Sequence, residues 1–135
     1  MKKKLSAVIF GALVILVACR SNGGVMVLSQ DELTSFVESD DSGFVYVHTN
    51  EPEELEVVTH LVEENQIEVL VYDVYKPDGE NDVPSNKQPN YEYLGKISKN
   101  AISYVNSGEV EAELKIDLTN PDFEEQFNNF VEQVK

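Results

Sequence analysis

The sequence predicts an α/β domain built on one mixed sheet, with helices on both faces. Three observations predict it. Strand-like and helix-like segments alternate through the first half of the chain, which implies parallel strands joined by helical crossovers. In the second half, two strands are separated by the tight turn Asn106-Ser107-Gly108 and followed by an amphipathic helix. Phe44 to His48 and Ile67 to Tyr75 are dense in apolar residues, as strands in the middle of a covered sheet are.

Each element has its own signal. Val25 to Leu28 is a short apolar strand. Ser29-Gln30-Asp31-Glu32 is a capping box, in which Ser29 caps the Glu32 amide and Glu32 reaches back. Leu33, Phe36 and Val37 give helical spacing that ends near Ser39, and Asp40-Asp41-Ser42-Gly43 is a turn. After the strand Phe44–His48, Asn50 reads as an N-cap with Pro52 in the first helical turn. Glu51, Glu53 and Glu54 lie where the helix dipole favours negative charge. Leu55, Val58, Leu61 and Val62 form one apolar face, and Asn65-Gln66 ends the helix.

Ile67 to Tyr75 is read as a long strand. Lys76 to Gln88 is rich in Pro, Gly, Asp and Asn and is read as an exposed loop, with a brief helix at Tyr91–Leu94. Ala101 to Val105 is a strand. From Glu109 to Leu118 apolar and charged residues alternate, so Val110, Ala112, Leu114, Ile116 and Leu118 share one buried face. Asn120-Pro121 is expected to open the last helix as cap and first helical residue. Phe123, Phe127, Phe130, Val131 and Val134 then form a narrow apolar stripe. The order is β-α-β-α-β, a loop with a short helix, then β-β-α, which one mixed sheet satisfies.

The N-terminus has a separate purpose. Met1 to Lys4 is basic, Leu5 to Ala18 is almost unbroken apolar sequence, and small residues precede Cys19. That is the pattern of a signal peptide, and it is too short for a comfortable membrane span. Leu16-Val17-Ala18-Cys19 resembles the bacterial lipobox. The resemblance implies that residues 1–18 are cleaved and that Cys19 is acylated, anchoring the chain to the outer face of the cell membrane. Residues 19–24 would then be a lipidated tether and 25–135 the folded domain. Cys19 is the single cysteine, so no thiol remains for disulfide or redox chemistry.

The chain has 25 acidic and 10 basic residues, a net charge of −15, and losing Lys2, Lys3 and Lys4 leaves −18. So acidic a surface excludes nucleic acid as a partner, and electrostatic adhesion to anionic lipid.

Three segments carry a wider resemblance. Asn50-Glu51-Pro52-Glu53 lies between an apolar strand and a helix, with proline third. Asn106 to Val110 is a hairpin turn that starts a last strand. Counting back from Gly108, Asn100 falls in the loop before the preceding strand, with Gly95 before it. In these segments and in element order, the domain resembles thioredoxin-like proteins. It is similar to the small group in Gram-positive bacteria that includes bacteriocin transport accessory proteins. The resemblance covers nearly all of residues 25–135 and implies a thioredoxin-like fold. It also implies that an extended peptide is held by backbone hydrogen bonds beside the loop before the fourth strand.

The departures decide what to expect of function. Asn50 and Glu53 occupy the positions of the family's two cysteines, and Asn100-Ala101 replaces proline-threonine. Without proline a cis bond is costly, so that loop should be trans and shaped differently. Thiol–disulfide exchange is excluded. The expectation is a non-catalytic binding or accessory module without cofactor or metal, and a monomer. Its candidate groove is Asn50, Glu51, Pro52, Glu53, Asn100 and Ala101. Its partners would be the membrane, through the lipid on Cys19, and a peptide or exported protein.

Other readings use other residues. His48 with Glu51, Glu53 and Glu54 suggests an enzyme of unidentified chemistry or a metal site, but acids in a first turn are explained by the helix dipole. A histidine that ends a strand is expected at the surface, and His60 lies on a different element. Asp78, Glu80 and Asp82 alternate as calcium ligands do, but the glycine and terminal glutamate of an EF-hand are missing. Tyr72, Tyr75, Tyr91, Tyr93 and Tyr104 are expected to edge the core with wet hydroxyls. The cleaved leader itself has the composition of a signal-peptide-derived mating pheromone.

Overall fold

A computed structural model describes residues 23–76 and 96–134. The leader, Cys19, the acidic loop with Asp78, Glu80 and Asp82, and the segment with Tyr91, Tyr93 and Gly95 lie outside the described residues. Eight elements follow in chain order: β1 (Gly24–Val27), α1 (Gln30–Val37), β2 (Ser42–His48), α2 (Pro52–Glu64), β3 (Glu68–Asp73), β4 (Ala101–Asn106), β5 (Glu109–Lys115) and α3 (Phe123–Val134).

The strands form one five-stranded mixed sheet in the order β1-β3-β2-β4-β5. β3 lies between β1 and β2 and is parallel to both. β4 is antiparallel to β2, and β5 closes the hairpin on β4. Ser107 and Gly108, with φ of 50° and 80°, form its turn. The β4–β5 register shifts between Tyr104 and Val105, which leaves Glu111 unopposed.

Alternation along the strands divides the core by face. On one side Phe44, Tyr46, Val69, Val71 and Ile102 pack with Val58 and Val62 of α2 and Phe127, Phe130 and Val131 of α3. Phe44 meets Phe130 edge-on, with ring centroids 6.1 Å apart. On the other side Val45, Val47, Tyr72, Val74 and Val105 pack with Leu33, Phe36 and Val37 of α1. Helices therefore cover both faces of the sheet.

The capping box forms as expected, with Ser29 Oγ accepting from Glu32 N at 3.2 Å and Glu32 Oε1 accepting from Ser29 N at 2.9 Å. β5 is half-buried at Val110, Ala112 and Leu114, and exposed at Glu109, Glu111, Glu113 and Lys115. These apolar residues do not share one face as the alternation predicts: the shift at Glu111 turns Val110 to the α1 side, while Ala112 and Leu114 pack on the other.

Several boundaries differ from the sequence reading, each for a local reason. β3 stops at Asp73, because Asp73 Oδ1 and the Asp73 carbonyl accept from Tyr75 N and Lys76 N and fold the chain into a turn. Asn50 does not cap α2. It adopts φ 56°, a left-handed conformation that asparagine tolerates, and Glu51 becomes the N-cap without a side-chain bond. α3 begins at Phe123 rather than Pro121. A turn closed by Phe123 N on the Asn120 carbonyl comes first, and Asn120 Oδ1 accepts from Asp122 N at 2.9 Å. β5 ends at Lys115, so Leu118 leaves the alternating face and is 44% exposed. Tyr72 is fully buried rather than wet at its hydroxyl edge, while Tyr75 and Tyr104 are half-buried.

Candidate functional site

β2 and β3 end side by side, with His48 paired to Asp73 across the ladder. Both side chains are buried, which corrects the expectation that His48 lies at the surface. His48 is on the α2 face of the sheet, where Tyr46 two residues earlier stacks against it at 5.1 Å between ring centroids. Its Nε2 lies 3.9 Å from Asp73 Oδ2, beyond hydrogen-bond range, and its Nδ1 is buried with no hydrogen-bond partner. Burial lowers the His48 pKa below its ordinary value, more strongly than the nearby Asp73 and Glu54 carboxylates raise it. The imidazole is therefore neutral at pH 7.

His48 and Asp73 lie in the wall of a cavity of about 360 Å³ at the carboxyl ends of the three parallel strands. Val27, Val71 and Leu55 supply apolar wall. Asn50, Pro52 and Lys76 complete the lining. An apolar pocket with a few converging polar groups is the form small binding sites take. A neutral imidazole beside a carboxylate can donate to and accept from one bound polar group.

A second network joins this region to β4. Glu54 Oε1 accepts the Tyr46 hydroxyl at 2.6 Å and Asn100 Nδ2 at 3.0 Å. Burial, and then the bond to Glu54, raise the Tyr46 pKa well above the ordinary phenol value, so the hydroxyl is a fixed donor. Asn100 has φ 56°; its N–H donates to the Val47 carbonyl at 2.6 Å and its carbonyl accepts from Ile116 N at 3.0 Å.

The six residues of the sequence-derived groove thus separate. Asn50 and Pro52 line the cavity, whereas Glu51 and Glu53 are exposed and do not. Asn100 lies across α2, tied to Glu54, and its main-chain polar groups are already used within the fold. Ala101 is buried in the ladder opposite Val47. Asp73, not Glu51 or Glu53, is the carboxylate beside His48. His60 is remote and pairs with Glu64 at 3.2 Å on the exposed side of α2. Among the described residues no group of three or more His, Cys, Asp or Glu side chains is placed to hold a metal ion. No helix among them is long and apolar enough to cross a membrane.

Sequence reasoning missed Asp73, Lys76 and the Tyr46–Glu54 bond. One signal was present: Asp73 is a charge inside an otherwise apolar run.

No protein-family model matches the chain, nor does any curated protein. Among solved structures, the chain is similar to the crystal structure of a designed protein, with a TM-score of 0.52 and 14% identity over 83% of this chain and 92% of that one. That likeness concerns the fold alone, an α/β arrangement on a mixed sheet.

Proposed function

We propose that the chain is a redox-inactive, thioredoxin-like binding module, held at the cell surface by lipid on Cys19, whose site takes a segment of a peptide or exported protein. One observation carries the binding part of this reading: the cavity opens at the carboxyl ends of the parallel strands, where open α/β sheets bind their ligands. The strand order, with three parallel strands followed by an antiparallel hairpin, agrees with the thioredoxin-like resemblance. Within the sulfur-free Asn50–Glu53 stretch, Asn50 and Pro52 line the cavity. Asn100 supports the rim through Glu54, and the ligand meets Asn50 and Pro52 rather than the Asn100 main chain.

Capture of partners from cell envelopes by the full chain tests this, with Lys76→Glu and Glu53→Lys as comparisons. A partner enriched by the wild type and lost with Lys76→Glu supports it. Enrichment of nothing, or full retention by both variants, overturns it. Anchoring is tested separately: Cys19→Ala should release the protein to the medium or leave it unprocessed. Normal processing and retention of that variant would contradict the lipid anchor.

A further inference from the structure

Among the described residues, two large apolar side chains are left exposed, Val57 at 36% and Leu118 at 44%. They come from different elements, the middle of α2 and the β5–α3 connection, yet both line one groove of about 550 Å³. None of its lining residues belongs to the cavity beside His48. Its floor is Leu61 and Phe123, both buried.

Leu118 is held in place. Asp117 Oδ1 accepts from Thr119 N at 3.0 Å and from Thr119 Oγ1 at 2.6 Å, and the Asp117 carbonyl accepts from Asn120 N. This turn interrupts the alternation of β5 and directs Leu118 outward, at the cost of a place in the core for a leucine. The rim is acidic. Glu56 and Glu124 flank the apolar floor, and His60 is paired with Glu64.

We propose that this groove docks a basic, apolar segment of another protein. An aliphatic side chain of that segment inserts between Val57 and Leu118, and flanking lysines or arginines reach Glu56 and Glu124. Charge selects this occupant. A second copy of the chain, with a net charge of −15, would bring acidic rims together, and an acidic peptide would meet the same repulsion.

The test uses the full chain, isotope-labelled and kept soluble in a non-ionic detergent. The probe is a short synthetic peptide of alternating leucine and lysine. Peptides of leucine with glutamate, and of glycine with lysine, are the controls. The leucine–lysine peptide should bind saturably and shift the amide resonances of Val57, Leu118 and Phe123. Leu118→Ser should weaken that binding about tenfold or more, since a buried leucine contributes on that scale. The double variant Glu56→Lys with Glu124→Lys should weaken it as well. These positions are exposed, so circular dichroism should be unchanged, and any partitioning of peptide into detergent is common to all variants. Four results would each overturn the proposal: no saturable binding; equal binding of the leucine–glutamate peptide; affinity unchanged in Leu118→Ser, which would mean charge attraction alone; or a concentration-dependent dimer abolished by Leu118→Ser, which would make a second copy the occupant.

Discussion

Tyr46 donates its hydroxyl to Glu54 across 2.6 Å, joining the middle of β2 to the first turn of α2. The same carboxylate oxygen holds Asn100 in front of β4. Tyr46→Phe keeps the ring against His48 and removes one bond. It should cost about 1 kcal/mol, the usual net contribution of a hydrogen bond. Glu54→Ala strands both donors and should cost more, about 2 kcal/mol. Urea denaturation of both variants checks the order. Equal losses would mean that Asn100 gains nothing from Glu54.

Acidification should weaken the fold partly through His48. Unfolded, this histidine titrates near about pH 6.5. Folded, burial holds its pKa lower. At high pH neither state binds the proton and the group contributes nothing to pH dependence. As pH falls below the unfolded value, the unfolded chain takes up a proton first, so stability declines by up to about 1.4 kcal/mol per pH unit until the folded pKa is passed. His48→Gln should flatten this slope. The comparison is between urea midpoints of wild type and variant at about pH 7.5 and about pH 6.

Asp117 predicts a loss of local order in acid. Bonds from the Thr119 side chain and backbone lower its pKa below the usual carboxylate value. The stabilisation it gives the turn is therefore present above the unfolded pKa and disappears as pH falls through the folded one. Asp117→Ala should loosen the turn at neutral pH as well, with the amide of Leu118 exchanging faster in nuclear magnetic resonance spectra. Unchanged exchange would show that the turn is held by its main-chain bonds.

Gly108 should tolerate no side chain. Its φ is 80°, and a Cβ built there would meet the Val37 carbonyl oxygen at 2.5 Å. Gly108→Ala should cost about 2 kcal/mol from left-handed strain and the displaced helix end. Thermal melting measures it, and a loss no larger than that of a surface substitution would count against the turn geometry.

Elements governed by near neighbours were legible in the sequence. The Ser29–Glu32 box, the Ser107-Gly108 turn and the phenylalanine stripe of α3 depend on contacts a few residues apart, or on a period repeated several times. Features set by packing between distant segments were not. His48 is buried at the end of β2, with Tyr46 stacked on it and Asp73 of β3 beside it, a placement that the rule of thumb for strand-ending histidines misses. Leu118 fits the period of β5 perfectly and still leaves it, because Asp117 forms a competing bond to Thr119. Of the candidate site, Asn50 and Pro52 were legible from motif position. Asp73 and Lys76 reach the cavity only through the parallel pairing of β2 with β3.

The carboxylates displayed along β5 have a consequence for crowding. An open sheet edge is a template on which another chain can polymerise. Glu109, Glu111 and Glu113 would oppose their counterparts in a parallel, in-register copy of the strand laid alongside, and like charges across a ladder repel. Densely arrayed molecules should therefore stay separate rather than join edge to edge.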